Sequence, residues 1–170
     1  MPNDFSAKKN GHKIGVGGLC LYNDQVLLVK HKYEVSKDKW TIPGGLVEVG
    51  ESLSEAIERE MFEETKVQTK TSGLLMIRHM TRTSKTHGTV SDLYLVFKLE
   101  YEAGEPNADL EEISDAKFIP LSELASHPLG ELCKFILETK IGDSGLSPLS
   151  YKPNQEIWDE LKALKYQIYG

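Results

Sequence analysis

Apolar and polar positions along the chain divide it into short strands followed by helices. Residues 14–21 read as a strand, Tyr22-Asn23-Asp24 as a turn and the apolar run 25–30 as a second strand, so the pair makes a hairpin. A polar loop over 34–39 leads to the extended piece Trp40-Thr41-Ile42-Pro43-Gly44-Gly45, and a second loop ends at Gly50. The period then changes. Ser52 and Glu55 have capping-box spacing, and Leu53, Ala56, Ile57 and Met61 form one apolar stripe at about 100° per residue, which predicts a helix ending near Lys66. Beyond it the pattern predicts a strand over 73–80, a polar loop over 81–90 and a strand over 91–100. A loop over 102–110 follows, then a short strand over 115–119 stopped by Pro120 and one helical turn over 121–125. A second helix is predicted over 129–139, a Gly/Ser/Pro-rich connector over 141–153 and a third helix over 155–168, apolar through Ile157, Trp158, Leu161, Leu164 and Ile168. The fold class is α/β, with helices packed on a strand core. Three parts are expected: a flexible arm over 1–11, one folded domain over 12–140, and a connector with its helix over 141–170 packed on that domain.

The first helix carries the candidate chemistry. Glu60, Glu63 and Glu64 lie three and four residues apart and so share a face. Glu60 and Glu64 fall inside the apolar stripe and Glu63 at its edge, so the side that enters the core turns acidic in its last turns. A solvated charge run would lie on the opposite side. Carboxylates partly withdrawn from water need a partner, and a hard divalent cation with oxygen ligands is a fitting one.

Composition narrows the classes. The chain of 170 residues is long enough for one domain with a sizeable core. Its net charge of −6 disfavours non-specific binding to nucleic-acid polymers and anionic membranes, though a metal can supply local positive charge for a nucleotide. Cys20 and Cys133 read as free, buried thiols of a reducing compartment. No apolar run is long enough to span a bilayer and residues 1–9 lack an apolar signal core, so a cytoplasmic location is expected.

From Gly45 the spacing runs through five residues to Glu51, seven more to Arg59-Glu60, then Met61, Phe62 and Glu63-Glu64. This resembles the Nudix box of the MutT-like hydrolases, with Lys66 in place of the usual closing glycine and Val67 matching the last aliphatic position. Trp40 to Gly45 resembles the entry into the box, and Glu111 to Leu124 the closing strand and turn of the family. The resemblance implies a mixed sheet sandwiched between helices, and a pyrophosphohydrolase acting on a nucleoside diphosphate linked to another moiety. It implies magnesium, with manganese as the alternative, held by Glu60, Glu63, Glu64 and the Gly44 carbonyl. The proton of the attacking water would go to one of the box glutamates or to Glu112, with the base left open between them. Arg59 would orient Glu51 or Glu63 through its planar fork. A non-catalytic, nucleotide-sensing Nudix-like domain is the alternative. Family members are often dimers, which leaves a homodimer open for this chain without fixing it.

Substrate choice is expected in the basic stretch of residues 78–87, where Arg78, Arg82 and Lys85 could hold phosphates or a terminal group. Trp40 offers a face on which a base could stack, against the plainer role of a core residue beside the glycines. The stretch from Ile77 to Tyr94 is similar to members that cleave ADP-ribose or NADH, but Thr83 stands where many ADP-ribose hydrolases carry proline.

Overall fold

Alternation assigns the faces of the central strand, β1 (Asn10–Tyr22). Val16 and Cys20 enter one apolar core, while Leu19 and Leu21 enter the other. Both faces of the strand are therefore covered, and its small residues admit neighbours closely. The computed structural model describes residues 10–33, 37–84, 88–149 and 168–170.

Seven strands form one mixed sheet. β1 runs parallel to β6 (Gly88–Ala103), from Asn10 opposite Thr89 to Cys20 opposite Leu99. β6 pairs antiparallel with β5 (Gln68–Ser84) at the sheet edge. The other edge of β1 is divided. Its first half pairs with β4 (Gly44–Leu46), and its end turns into β2 (Gln25–His31), which carries β3 (Trp40–Thr41) and β7 (Ile113–Pro120). The chain between β3 and β4 crosses this division at Ile42-Pro43, where the Gly18 N–H donates to the Pro43 carbonyl at 2.9 Å. The box glycines thus sit where the sheet splits.

One helix covers each face. α1 (Leu53–Thr65) buries Ala56, Ile57 and Met61 against Val16, Phe97 and Leu99, and α2 (Glu131–Lys140) buries Cys133, Ile136 and Leu137 against Leu19, Leu28 and Val96. The Ser52–Glu55 capping box is formed in both directions. Lys66 closes α1 in the left-handed region, at φ 61° and ψ 10°. Its ammonium donates to the Glu63 carbonyl at 3.1 Å and stands 5.6 Å from the centre of the Phe62 ring, so it offsets part of the strain by satisfying a helix end. Lys66→Gly should raise the unfolding free energy by roughly 0.5–1 kcal/mol, read from the urea midpoint.

Several boundaries differ from the sequence expectation. The polar loop over 81–90 is largely strand: β5 runs to Ser84 and β6 starts at Gly88, because ladder pairing carries these polar residues whatever their pattern. β1 takes in Asn10 and Gly11, which the flexible arm was expected to include, since they pair with Thr89 and Val90. α2 begins only at Glu131, since Gly130 is its extended N-cap and Leu129 bridges Trp40. Within the connector, β8 (Pro148–Leu149) pairs with β9 (Ile168–Tyr169), so the expected third helix does not reach Ile168; the rest of it lies outside the described residues. No helix among the described residues is long and apolar enough to cross a membrane.

Cys20 and Cys133 are both free and buried, and loss of hydration pushes each thiol up to about 12. Neither should label with a thiol reagent at about pH 8 until the protein is unfolded. Prompt labelling of the native protein would show that the sheet opens locally.

Candidate active site

Arg59 is the hub of the box. From the second turn of α1 its Nε and one terminal nitrogen donate to the two Glu51 oxygens at 3.1 and 2.8 Å, a forked pair. The other terminal nitrogen donates to Glu60 at 2.9 Å and to Glu63 at 3.1 Å, while the one that bonds Glu51 also donates to the Leu46 carbonyl at 3.0 Å. The Glu48 N–H adds a bond of 2.6 Å to Glu51. The Arg59 hydrogen bonds, foremost, hold the Glu51 carboxyl below its usual range, and the Glu51 bonds raise the guanidinium further above its own. The Glu60 carboxyl is raised, chiefly by burial and in spite of Arg59.

Glu64 has a different environment. Only 8% of it is exposed, and it accepts the Gly44 N–H at 2.9 Å. Burial, foremost, pushes its carboxyl up to about 8; the Gly44 bond opposes this, while the negative charges of Glu60, Asp109 and Glu112 add to it. The two glycines make the approach of backbone to carboxylates feasible. A Cβ on Gly45 would overlap the Glu60 carboxylate, and Gly44 has φ 155° with its Cβ position blocked by the Val16 carbonyl.

The loop before β7 supplies the remaining acid. Asp109 accepts from the Glu111 and Ile113 N–H groups at 2.8 and 3.2 Å, with Leu110 left-handed between them. Lys32 fixes the same turn: its N–H bonds the Glu112 carbonyl at 2.9 Å and its ammonium the Leu110 carbonyl. The Asn107 N–H bonds the Thr65 carbonyl at 2.8 Å, tying the loop to the end of α1. Glu112 is therefore exposed yet close enough to bias Glu64. Asp109 did not stand out in the sequence; its loop position one turn before Glu112 was the available signal.

The structure brings together Glu51, Arg59, Glu60, Glu63, Glu64, Gly44 and Glu112. It does not converge the three glutamates on one point, as the helix spacing suggested. Glu60 and Glu63 turn to Arg59 and Glu64 to Gly44, with Glu63 57% exposed. Among the described residues no three His, Cys, Asp or Glu side chains stand as a group that could hold a metal. The donor set still fits a hard cation. It is made of oxygens, it crowds a buried carboxylate with three more, and the missing side chain of Gly45 lets the Glu60 carboxylate lie against the backbone there.

The expected substrate residues divide. Trp40 is 4% exposed, with the Lys117 ammonium 4.6 Å from its ring centre and His127 edge-on at 6.0 Å, so it belongs to the core and offers no open face to a base. Arg78 is half-buried and pairs with Asp92. Arg82 lies on β5, but its side chain is outside the described residues, as is all of Lys85. Two surface concavities, of about 640 Å³ beside His127 and Leu137 and about 330 Å³ beside Leu75 and Tyr101, contain no box residue.

A sheet split at two glycines, with a capped helix presenting an Arg-centred carboxylate cluster beside it, defines a Nudix-type domain. A model of the NUDIX domain family matches residues 11–134, and the chain belongs to that family. It is 35% identical over 116 residues to nucleoside diphosphate-linked moiety X motif 6 of Mus musculus, a match covering 67% of this chain and 36% of that protein. It is 34% identical over 116 residues to the NAD-capped RNA hydrolase NudC of Photobacterium profundum, covering 68% of this chain and 41% of that one. The chain thus spans well under half the length of these two relatives. A NUDIX hydrolase from Nitrosomonas europaea shares the fold, with a TM-score of 0.68 and 24% identity over 82% of this chain and 97% of that one.

Proposed function

We propose that the chain is a magnesium-dependent pyrophosphohydrolase, cleaving a nucleoside diphosphate linked to another moiety by attack of water on phosphorus. The observation that carries this reading is the buried Glu64, gripped by Gly44 and surrounded by Glu60, Asp109 and Glu112. Such a concentration of negative charge is compensated when a divalent cation binds at Glu60, Glu63, Glu64 and the Gly44 backbone. Those residues would hold the cation, which would supply positive charge to neutralise the pyrophosphate and polarise its oxygens.

The chain's own groups do the rest. Arg59 holds Glu60 and Glu63 in one orientation while Glu51 anchors the guanidinium from behind. Glu60, Glu63, Glu64 and Glu112 are the carboxylates able to take a proton from water, and the base is one of them. In the reaction one water oxygen bonds phosphorus, the bridging P–O bond breaks, and the proton passes to a carboxylate. The products are a nucleoside monophosphate and a second phosphorylated fragment. The NAD-capped RNA hydrolase among the relatives supports a dinucleotide-type substrate.

The test is a panel of ADP-ribose, NADH, nucleoside triphosphates, diadenosine polyphosphates and CoA, each with and without magnesium. Metal-dependent turnover of one member, lost in Glu64→Gln, is the expected result. Tight binding of one member with no turnover of any would replace the hydrolase reading with nucleotide sensing.

A further inference from the structure

Across the sheet from the box, three register partners share one face: Gly15 on β1, Tyr94 on β6 and Arg78 on β5. The Tyr94 ring lies against β1, where a Cβ on Gly15 or Gly17 would overlap it. Gly17 in turn pairs with Gly44, whose N–H holds Glu64. Tyr94 thus bridges the Arg78 region to the acidic site. The strand of Arg78 stands three strand spacings from that of Gly44, about 14 Å, on the scale of a nucleoside diphosphate.

Arg78 is placed by two contacts. Its guanidinium lies 5.3 Å from the centre of the Tyr94 ring, and one terminal nitrogen pairs with Asp92, two residues before Tyr94 on the same face of β6. The Arg78 Nε is buried and has no acceptor among the described residues. Asp92 spends one oxygen on the pair.

This arrangement is a poor phosphate site. The ion pair cancels the positive charge that a phosphate needs. It is a good match for a group offering an acceptor beside a donor, because guanidinium N–H groups donate and the carboxylate accepts, side by side on a rigid sheet. Two kinds of base edge meet this description: an exocyclic amino group next to a ring nitrogen, and an oxo group next to a ring N–H; one fixed arrangement of donor and acceptor fits one kind and opposes the other. The geometry points to Arg78 and Asp92 as the base-reading pair of the nucleotide site, telling amino-bearing bases (adenine, cytosine) from their oxo counterparts, with Tyr94 as the positioning residue that fixes Arg78. This deepens the proposed function and rests on its nucleotide substrate, while replacing the phosphate role expected for Arg78.

Binding of product mononucleotides without magnesium tests it separately from turnover. The probes are AMP, IMP, CMP, UMP and ribose 5-phosphate, titrated by calorimetry into the wild type, Asp92→Asn and Arg78→Gln, each checked by thermal melt. AMP and IMP differ at the 6-position of the base, amino against oxo. The wild type should separate AMP from IMP, and CMP from UMP, by about tenfold or more and in the same sense, amino over oxo or oxo over amino. Asp92→Asn, which keeps the shape and can donate where aspartate only accepts, should bring both ratios near one, with ribose 5-phosphate unaffected. Tyr94→Phe keeps the ring and should keep the ratios. Equal affinity for AMP and IMP in the wild type would overturn the assignment. So would no binding of any mononucleotide at millimolar concentration, an unchanged ratio in Asp92→Asn, or an equal loss of ribose 5-phosphate in Arg78→Gln. If the base preference is present and no panel member is hydrolysed, the base-reading pair stands and the hydrolase reading fails.

Discussion

Arg59→Ala should lower kcat/KM about a hundredfold while leaving the magnesium concentration for half-activity within a few-fold of the wild type. The two effects separate because Arg59 has two consequences for the carboxylates. As a fork it fixes Glu60 and Glu63 to within hydrogen-bond geometry, and without it both regain rotamer freedom. As a cation it competes with a metal for the same oxygens, so its loss strengthens the pull of the carboxylates on a divalent ion. Orientation suffers and affinity does not. The fold should also weaken, by about 2 kcal/mol, since Glu51 and Glu60 are left partly buried and unpaired but retain some contact with water. That deficit has a pH signature. The Glu51 carboxyl is held low in the folded chain, so its contribution is present above its unfolded pKa and is lost as pH falls through the folded value. The gap in melting temperature between wild type and Arg59→Ala should therefore narrow in acid. Arg59→Lys keeps the charge without the fork, so it should recover stability more than rate. Unaltered kinetics in Arg59→Ala would mean that the network seen here only braces α1.

The sequence exposed those features whose cause is local. Ser52 and Glu55 announced the helix start, and the angular position of Glu64 within the apolar stripe announced its burial; both are found. The link from Arg59 to Glu51 was readable once the box spacing was seen, since a guanidinium among carboxylates finds partners. Features set by tertiary pairing were hidden. Thr81 and Val90 carry no strand pattern, yet they lie on paired strands because the β5–β6 ladder runs on past Met80. Trp40 reads as a core residue ahead of a base platform, and the structure gives the core role, but its covers, Lys117 and His127, come from distant segments that the sequence does not point to. Asp92 was passed over for the same reason. Its significance depends on Arg78 standing beside it on the next strand, and neither residue reveals that pairing alone. The helix spacing also overstated the convergence of Glu60, Glu63 and Glu64, because it places backbone positions and leaves the rotamers to whichever partner is nearest.

Glu64→Gln should abolish most of the activity, by about a thousandfold, while making the metal-free protein more stable at alkaline pH. Glutamine keeps the shape and an oxygen to accept the Gly44 N–H, so the local fold has little reason to change. What it removes is a charge that the folded chain tolerates poorly. The Glu64 carboxyl is pushed up to about 8 from an ordinary 4.5 by burial and by Glu60, Asp109 and Glu112. A carboxyl with a raised folded pKa contributes stability that is fully present below the unfolded value and is lost as pH rises through the folded one. In chelator, then, wild-type melting temperature should fall between about pH 5 and pH 9, and the variant should lack that decline. Magnesium should restore the wild type at the alkaline end, because the cation takes over the compensation that the proton supplied, and should do little for the variant. A buried glutamate serving only as a hydrogen-bond acceptor would show the same decline in chelator, since burial alone raises its carboxyl, but magnesium would not raise its melting temperature and glutamine would leave the activity unchanged. The two melts at the alkaline end, one in chelator and one in magnesium, decide between a carboxylate kept for a cation and one kept for the fold.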